Sequence, residues 1–209
     1  MASKVKVDTI ESTSGTSYLD AGVLDNVALG SSVTGRTGWQ LLSSVTASNQ
    51  ANVEFAGTLL SSTYDNYMIK IASGVAASDN QQLQMKIAQS GTYKTSAYAF
   101  FLTLQYAGSV HDNRLTNASH TNLVLAQSVG NASGEGYDFT IYFSNPTAAN
   151  YPRFYWLGTC SSLSNTITRH DGVGQLDVVA SFNKIKFCHG LETVNIASGI
   201  FSLYGLPKS

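Results

Sequence analysis

Four histidines (His111, His120, His170 and His189) and two cysteines (Cys160 and Cys188) have the widest chemical range in this 209-residue chain. Their spacing supports little. Metal sites draw ligands at short fixed intervals, and no HExxH, HxH or CxxC pattern occurs. His111-Asp112 and His170-Asp171 are adjacent pairs, but neighbours on a strand point to opposite faces. Cys160 and Cys188 are widely separated and read as two reduced thiols buried in strands; a disulfide or a metal site stays open. A nucleophile elbow needs GxSxG, which is absent. Gly130, Gly134, Gly136, Gly172 and Gly174 precede no helix, so they cannot cradle a phosphate. They read as turn glycines, with Asp171-Gly172 as a hairpin tip. The carboxylates are scattered and nominate no glycosidase pair. Asn117-Ala118-Ser119 and Asn131-Ala132-Ser133 match the glycosylation sequon, and without a secretory route they are polar loops. No catalytic, cofactor-binding or metal residue is expected, and the chain is read as a non-enzyme.

The elements behind these residues alternate with a period of two. Val53, Phe55 and Leu59 share a face, as do Tyr67, Ile69 and Ile71, and Leu83, Met85 and Ile87. Tyr98, Phe100, Leu102, Leu104 and Tyr106 form the longest stripe. Tyr137, Phe139, Ile141 and Phe143 face away from Asp138, Thr140 and Tyr142. Further strands are expected around 123–129, 153–161, 178–187 and 195–204. Half-buried antiparallel strands produce this pattern. Ser, Thr, Asn and Gly interrupt every helical window. The expected fold is all-β, an antiparallel β-sandwich of jelly-roll-like type with an extended N-terminal arm; a closed barrel is the alternative.

Charged residues make up only 12%, about half the usual share. A net charge of −1 argues against a nucleic-acid binder, which would carry a basic stripe. An aromatic content of 11% argues against disorder. No apolar run reaches membrane-spanning length, and the start lacks the apolar region of a secretory signal, so synthesis in a cytoplasm is expected. A surface of hydroxyls, amides and aromatics remains. It suits sugars, or the uncharged skin of a protein packed among many copies.

Residues 1–36 read as an arm and linker, and 37–209 as the sandwich. Within the first segment Val23, Leu24, Val27 and Leu29 make an apolar island too short to fold alone. It is either a frayed terminus or an arm that orders against another subunit, and the arm is adopted here. Three polar segments, 109–120, 145–152 and 164–174, read as loops where a sandwich carries recognition. They offer His111 and Arg114, then Tyr151, then Arg169 and His170. If they met at one end they would form a receptor-contact tip with Tyr151 as a stacking platform.

The opening Ser3-Lys4-Val5-Lys6-Val7-Asp8-Thr9-Ile10-Glu11-Ser12 resembles the N-terminal motif of many tailed-bacteriophage structural proteins. The body adds Trp39-Gln40-Leu41-Leu42, Val53-Glu54-Phe55, Tyr64-Asp65-Asn66-Tyr67, Val75-Ala76-Ala77-Ser78-Asp79-Asn80 and Ser90-Gly91-Thr92-Tyr93. The chain closes on Gly199-Ile200-Phe201-Ser202-Leu203-Tyr204-Gly205-Leu206. This succession is similar to β-rich phage tail-fibre and virion-appendage proteins. Ala76 replaces the proline usual in their Val-Pro-Ala-x-Asp turn. The resemblance implies a non-enzymatic virion component and a homotrimer, held to other tail or capsid proteins through Val5, Val7, Ile10, Val23, Leu24 and Val27. It implies a tail fibre or tail-tip protein contacting the host surface, where a glycan is the candidate partner. Capsid decoration or head-fibre protein is the alternative, and a carbohydrate-binding domain outside any virus a further one. No cofactor, nucleic acid or membrane insertion is implied.

Overall fold

The computed structural model describes residues 38–106, 109–161 and 166–208, with the backbone alone for 109–119. The arm residues Val5, Val7, Ile10, Val23, Leu24 and Val27 lie outside the described residues. Thirteen strands follow in order: β1 (Gln40–Gln50), β2 (Asn52–Ala56), β3 (Tyr64–Ala76), β4 (Gln81–Gln89), β5 (Thr92–Tyr93), β6 (Tyr98–Tyr106), β7 (Ser109–His120), β8 (Leu123–Val129), β9 (Tyr137–Ser144), β10 (Arg153–Ser161), β11 (Ile167–Leu176), β12 (Lys184–His189) and β13 (Ile196–Pro207). The only helical pieces among the described residues are two single turns, Gly57–Leu59 and Gly190–Glu192.

The strands form an all-β antiparallel sandwich, as the alternation predicts. The larger sheet runs β1-β13-β3-β9-β10-β11-β6-β7. The smaller runs β2-β12-β4-β5, with β8 also paired to β4. Every strand pairing is antiparallel. The predicted apolar stripes turn inward: Tyr67, Ile69, Leu83, Met85, Tyr98, Leu102, Ile141 and Trp156 are fully buried. Each such side chain contributes roughly 1.5–3 kcal/mol relative to exposure. Phe187 of β12 packs on Phe201 of β13 across the sandwich, ring centroids 5.5 Å apart. Polar ties accompany the rings. β5 and β8 cover the two ends of one side of β4, and between them the Tyr98 hydroxyl accepts from the Ile87 N–H at 2.9 Å.

Strand content differs from expectation in three places. Segment 109–120 is β7, not a loop. It pairs with β6 alone at the sheet edge, where backbone bonds hold a strand that needs no apolar alternation. Segment 164–174 is largely β11, in the sheet interior between β10 and β6. Asp171-Gly172 is therefore mid-strand rather than a hairpin tip. Gly172 is there for space: a Cβ would stand 2.4 Å from Cζ2 of the buried Trp156. The strand expected over 178–187 begins only at Lys184; ahead of it the Ala180 and Phe182 N–H groups donate instead to Asn150 and Pro146 of the β9–β10 connection. β1 follows no clear alternation and was not expected, and it also lies at a sheet edge.

Candidate functional site

The interior holds one constellation with the look of a nucleophile site. On β10 and β11, Cys160 Sγ lies 3.1 Å from His170 Nε2, and Thr168 Oγ1 lies 2.9 Å from the sulfur and 3.0 Å from the same ring nitrogen. Its electrostatics are those of a core. Cys160 and His170 are 2% and 0% exposed. Burial pushes the thiol up to about 11, against a weaker opposing effect of the Thr168 hydrogen bond, and holds the imidazole down to about 4. Both are neutral at pH 7, so the thiolate that would attack is not formed. His189 makes a similar tie across the sheets: Nδ1 is 2.9 Å from the Gln82 carbonyl, and Nε2 is 3.1 Å from Tyr137 Oη. A proton on Nδ1 satisfies both contacts, with the phenol donating to Nε2. Burial brings this ring down to about 4 as well, although the Gln82 bond favours the cation. Both thiols are free and buried. No group of three His, Cys, Asp or Glu suited to a metal exists among the described residues.

The outer face of the larger sheet is different. Solvent-facing positions on a half-buried sheet are normally polar. Here one cross-strand row is apolar and aromatic over seven strands. Leu41 stands opposite Tyr204, Tyr204 opposite Met68, and Met68 opposite Tyr142. Tyr142 stands opposite Tyr155, Tyr155 opposite Val173, and Val173 opposite Phe101. At the usual strand spacing this row extends roughly 29 Å. Tyr142 and Tyr155 are near-parallel, with ring centroids 6.3 Å apart and 19° between planes. Trp39 reaches over β13 and β3 to within 6.2 Å of Tyr142. Trp39, Tyr142 and Tyr155 are 40%, 39% and 45% exposed.

Two residues along each strand runs a second, polar row: Asn66, Ser144, Arg153 and Gln175. Tyr142, Tyr155, Val173 and Phe101 of the first row, with Trp39 and the polar row, line a groove of about 690 Å³. A polar pocket of about 340 Å³, lined by Asn145, Asn150 and Tyr151, shares Ser144 and Arg153 with it. Among the described residues, Arg153 is the sole charged one lining either cavity. The inner side of the same strands carries Phe143, Phe154 and Trp156, which fix the backbone under the groove.

Of the expected contact residues, Tyr151 is exposed on the β9–β10 connection and lines the polar pocket. Arg169 is exposed but lies on β11, paired with Asp171 at 3.4 Å. His170 cannot meet a receptor in this fold, because alternation on β11 turns it inward against Cys160. His111 and Arg114 belong to β7, where only the backbone is described. The three segments do not form a common loop tip. The groove residues Trp39, Tyr142, Arg153, Tyr155 and Val173 were not singled out as a site. Tyr142 stands in the outward phase of an expected strand, but only strand register sets it beside Tyr155 and Val173. Comparison with protein-family models, curated proteins and solved structures gives no match to this chain.

Proposed function

We propose that the chain is a non-enzymatic structural component of a tailed-phage virion, a tail-fibre or tail-tip subunit. The outer face of its larger sheet is the recognition surface toward the host. The aromatic row carries this reading: Trp39, Tyr142 and Tyr155 stand exposed on a rigid sheet, beside hydrogen-bonding side chains and without a lining carboxylate. Such a face holds a partner by stacking and hydrogen bonds and offers no acid–base pair to cleave it. The virion assignment draws on the resemblance of the Lys4–Ile10 opening and the closing Leu203-Tyr204-Gly205 strand. Repetition around a symmetry axis converts weak contacts at such a face into avidity.

Gold-labelled antibody against residues 37–209, applied to purified virions, tests the placement. Label at the tail fibre or tail tip is the expected result. Label distributed over the head assigns the chain to capsid decoration, and unlabelled particles overturn the virion reading.

A further inference from the structure

The groove has a chemistry more specific than an apolar patch. Its two rows sit two residues apart on each strand, roughly 7 Å. One row offers Tyr142, Tyr155 and Val173; the other offers the Asn66 amide, the Ser144 hydroxyl, the Arg153 guanidinium and Gln175, whose amide nitrogen also donates to Asp177. A pyranose chain is amphipathic in the same sense. Its ring faces are C–H surfaces that stack on aromatic rings, and its edges carry hydroxyls that seek planar donors and acceptors.

Arg153 adds a charge requirement. It is shared by the groove and the polar pocket and is the only charged side chain among the described residues lining either. No carboxylate among the described residues pairs with it; Lys70 and Lys94 are likewise unpaired, but neither lines the groove or the pocket. A guanidinium presents a planar fork matched to a carboxylate. The two cavities, about 690 and 340 Å³, fall in the range of small-ligand sites.

We propose that this groove binds an oligosaccharide bearing a carboxylate, with its rings on Tyr142, Tyr155 and Trp39 and its acid group on Arg153 at the mouth of the Asn145–Asn150–Tyr151 pocket. The inference rests on reading the outer face as the recognition surface, and it adds the class of ligand.

The test uses the full chain and three probes: oligogalacturonate and sialyllactose as acidic saccharides, and maltoheptaose as the neutral one. Calorimetric titration should show binding of at least one acidic probe, weakening with salt, and none of maltoheptaose. Tyr155→Ala should lower that affinity about tenfold, the scale of one lost stacking contact. Arg153→Ala should lower it about tenfold or more and abolish the preference for acid, while Arg153→Lys retains part of it. All these side chains are solvent-facing, so the variants should keep the wild-type circular dichroism spectrum and melting profile. Failure of both acidic probes to bind overturns the proposal, as does binding unchanged in the Arg153→Ala, Tyr155→Ala double variant. Binding of maltoheptaose with equal affinity removes the carboxylate requirement and overturns it too. So does an oligomer that dissociates on Tyr142→Ser, Tyr155→Ser substitution, since the face is then a self-contact. The virion reading fails separately: it falls if labelled antibody finds no chain in the particle, whatever the probes do.

Discussion

Two buried histidines make individual residues sensitive to pH. His170 and His189 have folded-state values near 4, against about 6.5 in an unfolded chain, because burial disfavours the cation. Between those values the unfolded state binds protons that the folded state refuses, so stability falls as pH drops from 6.5 toward 4. The loss by pH 5 is on the order of 2 kcal/mol per histidine. Urea unfolding should show a clear drop in midpoint between pH 7 and pH 5, and His170→Leu should flatten part of that slope. His170 is the better choice because its buried Nδ1 has no hydrogen-bond partner, so its replacement strands no donor or acceptor on that side of the ring. A midpoint independent of pH over this range would contradict the buried neutral rings. The thiols give a second reading of the same interior. Cys160 and Cys188 are buried, and burial raises both thiols. A disulfide-exchange reagent at pH 8 should therefore leave the native protein unmodified and label both cysteines in denaturant. Rapid labelling of the native chain would show that the core opens.

The strands separate stability from recognition by face. β10 illustrates it: Phe154 and Trp156 point inward, while Arg153, Tyr155 and Leu157 point outward. Tyr155→Ala should cost no more than about 1 kcal/mol, the scale of a cross-strand pair. Trp156→Ala should cost roughly 3–5 kcal/mol. Gly172→Ala on β11 should cost about 1–3 kcal/mol by overpacking, since its methyl meets the Trp156 ring. Equal losses for Tyr155→Ala and Trp156→Ala in chemical denaturation would mean that the outer row belongs to a second core. The legibility of each strand follows from the same split. β3, β4, β6, β9 and β10 bury one face and announce themselves by alternation. β1 and β7 occupy the two edges of the larger sheet and bond on one side only; β1 carries no clear alternation, and the polar sequence of β7 reads as a loop. Gly172 and Gly174 on β11 look like turn signals, yet they clear space for Trp156 and Leu123 respectively, neighbours in space that local sequence does not reveal. The groove was hidden for a related reason. Tyr142, Tyr155 and Val173 lie on three different strands, and only the register of β9, β10 and β11 aligns them.

At the scale of the whole molecule, few charges keep copies apart. Net charge is −1 and charged residues are 12% of the chain. Such surfaces favour association, and closed rotational symmetry is the common outcome. The resemblance to virion appendages makes a homotrimer the specific expectation. Sedimentation of the full chain at micromolar concentration should give three times the 22.3 kDa chain mass. The sandwich itself should not need residues 1–36. Every described strand pairs with another described strand, and the core cluster runs from Ala47 to Leu203. Deleting 1–36 should therefore leave a domain that unfolds cooperatively near the wild-type midpoint. If the segment is the attachment arm, the truncated chain should fail to enter virions when it is the only copy supplied. Loss of cooperative unfolding would make the segment part of the domain, and normal incorporation of a folded, truncated chain would remove the attachment role from Val5, Val7, Ile10, Val23, Leu24 and Val27.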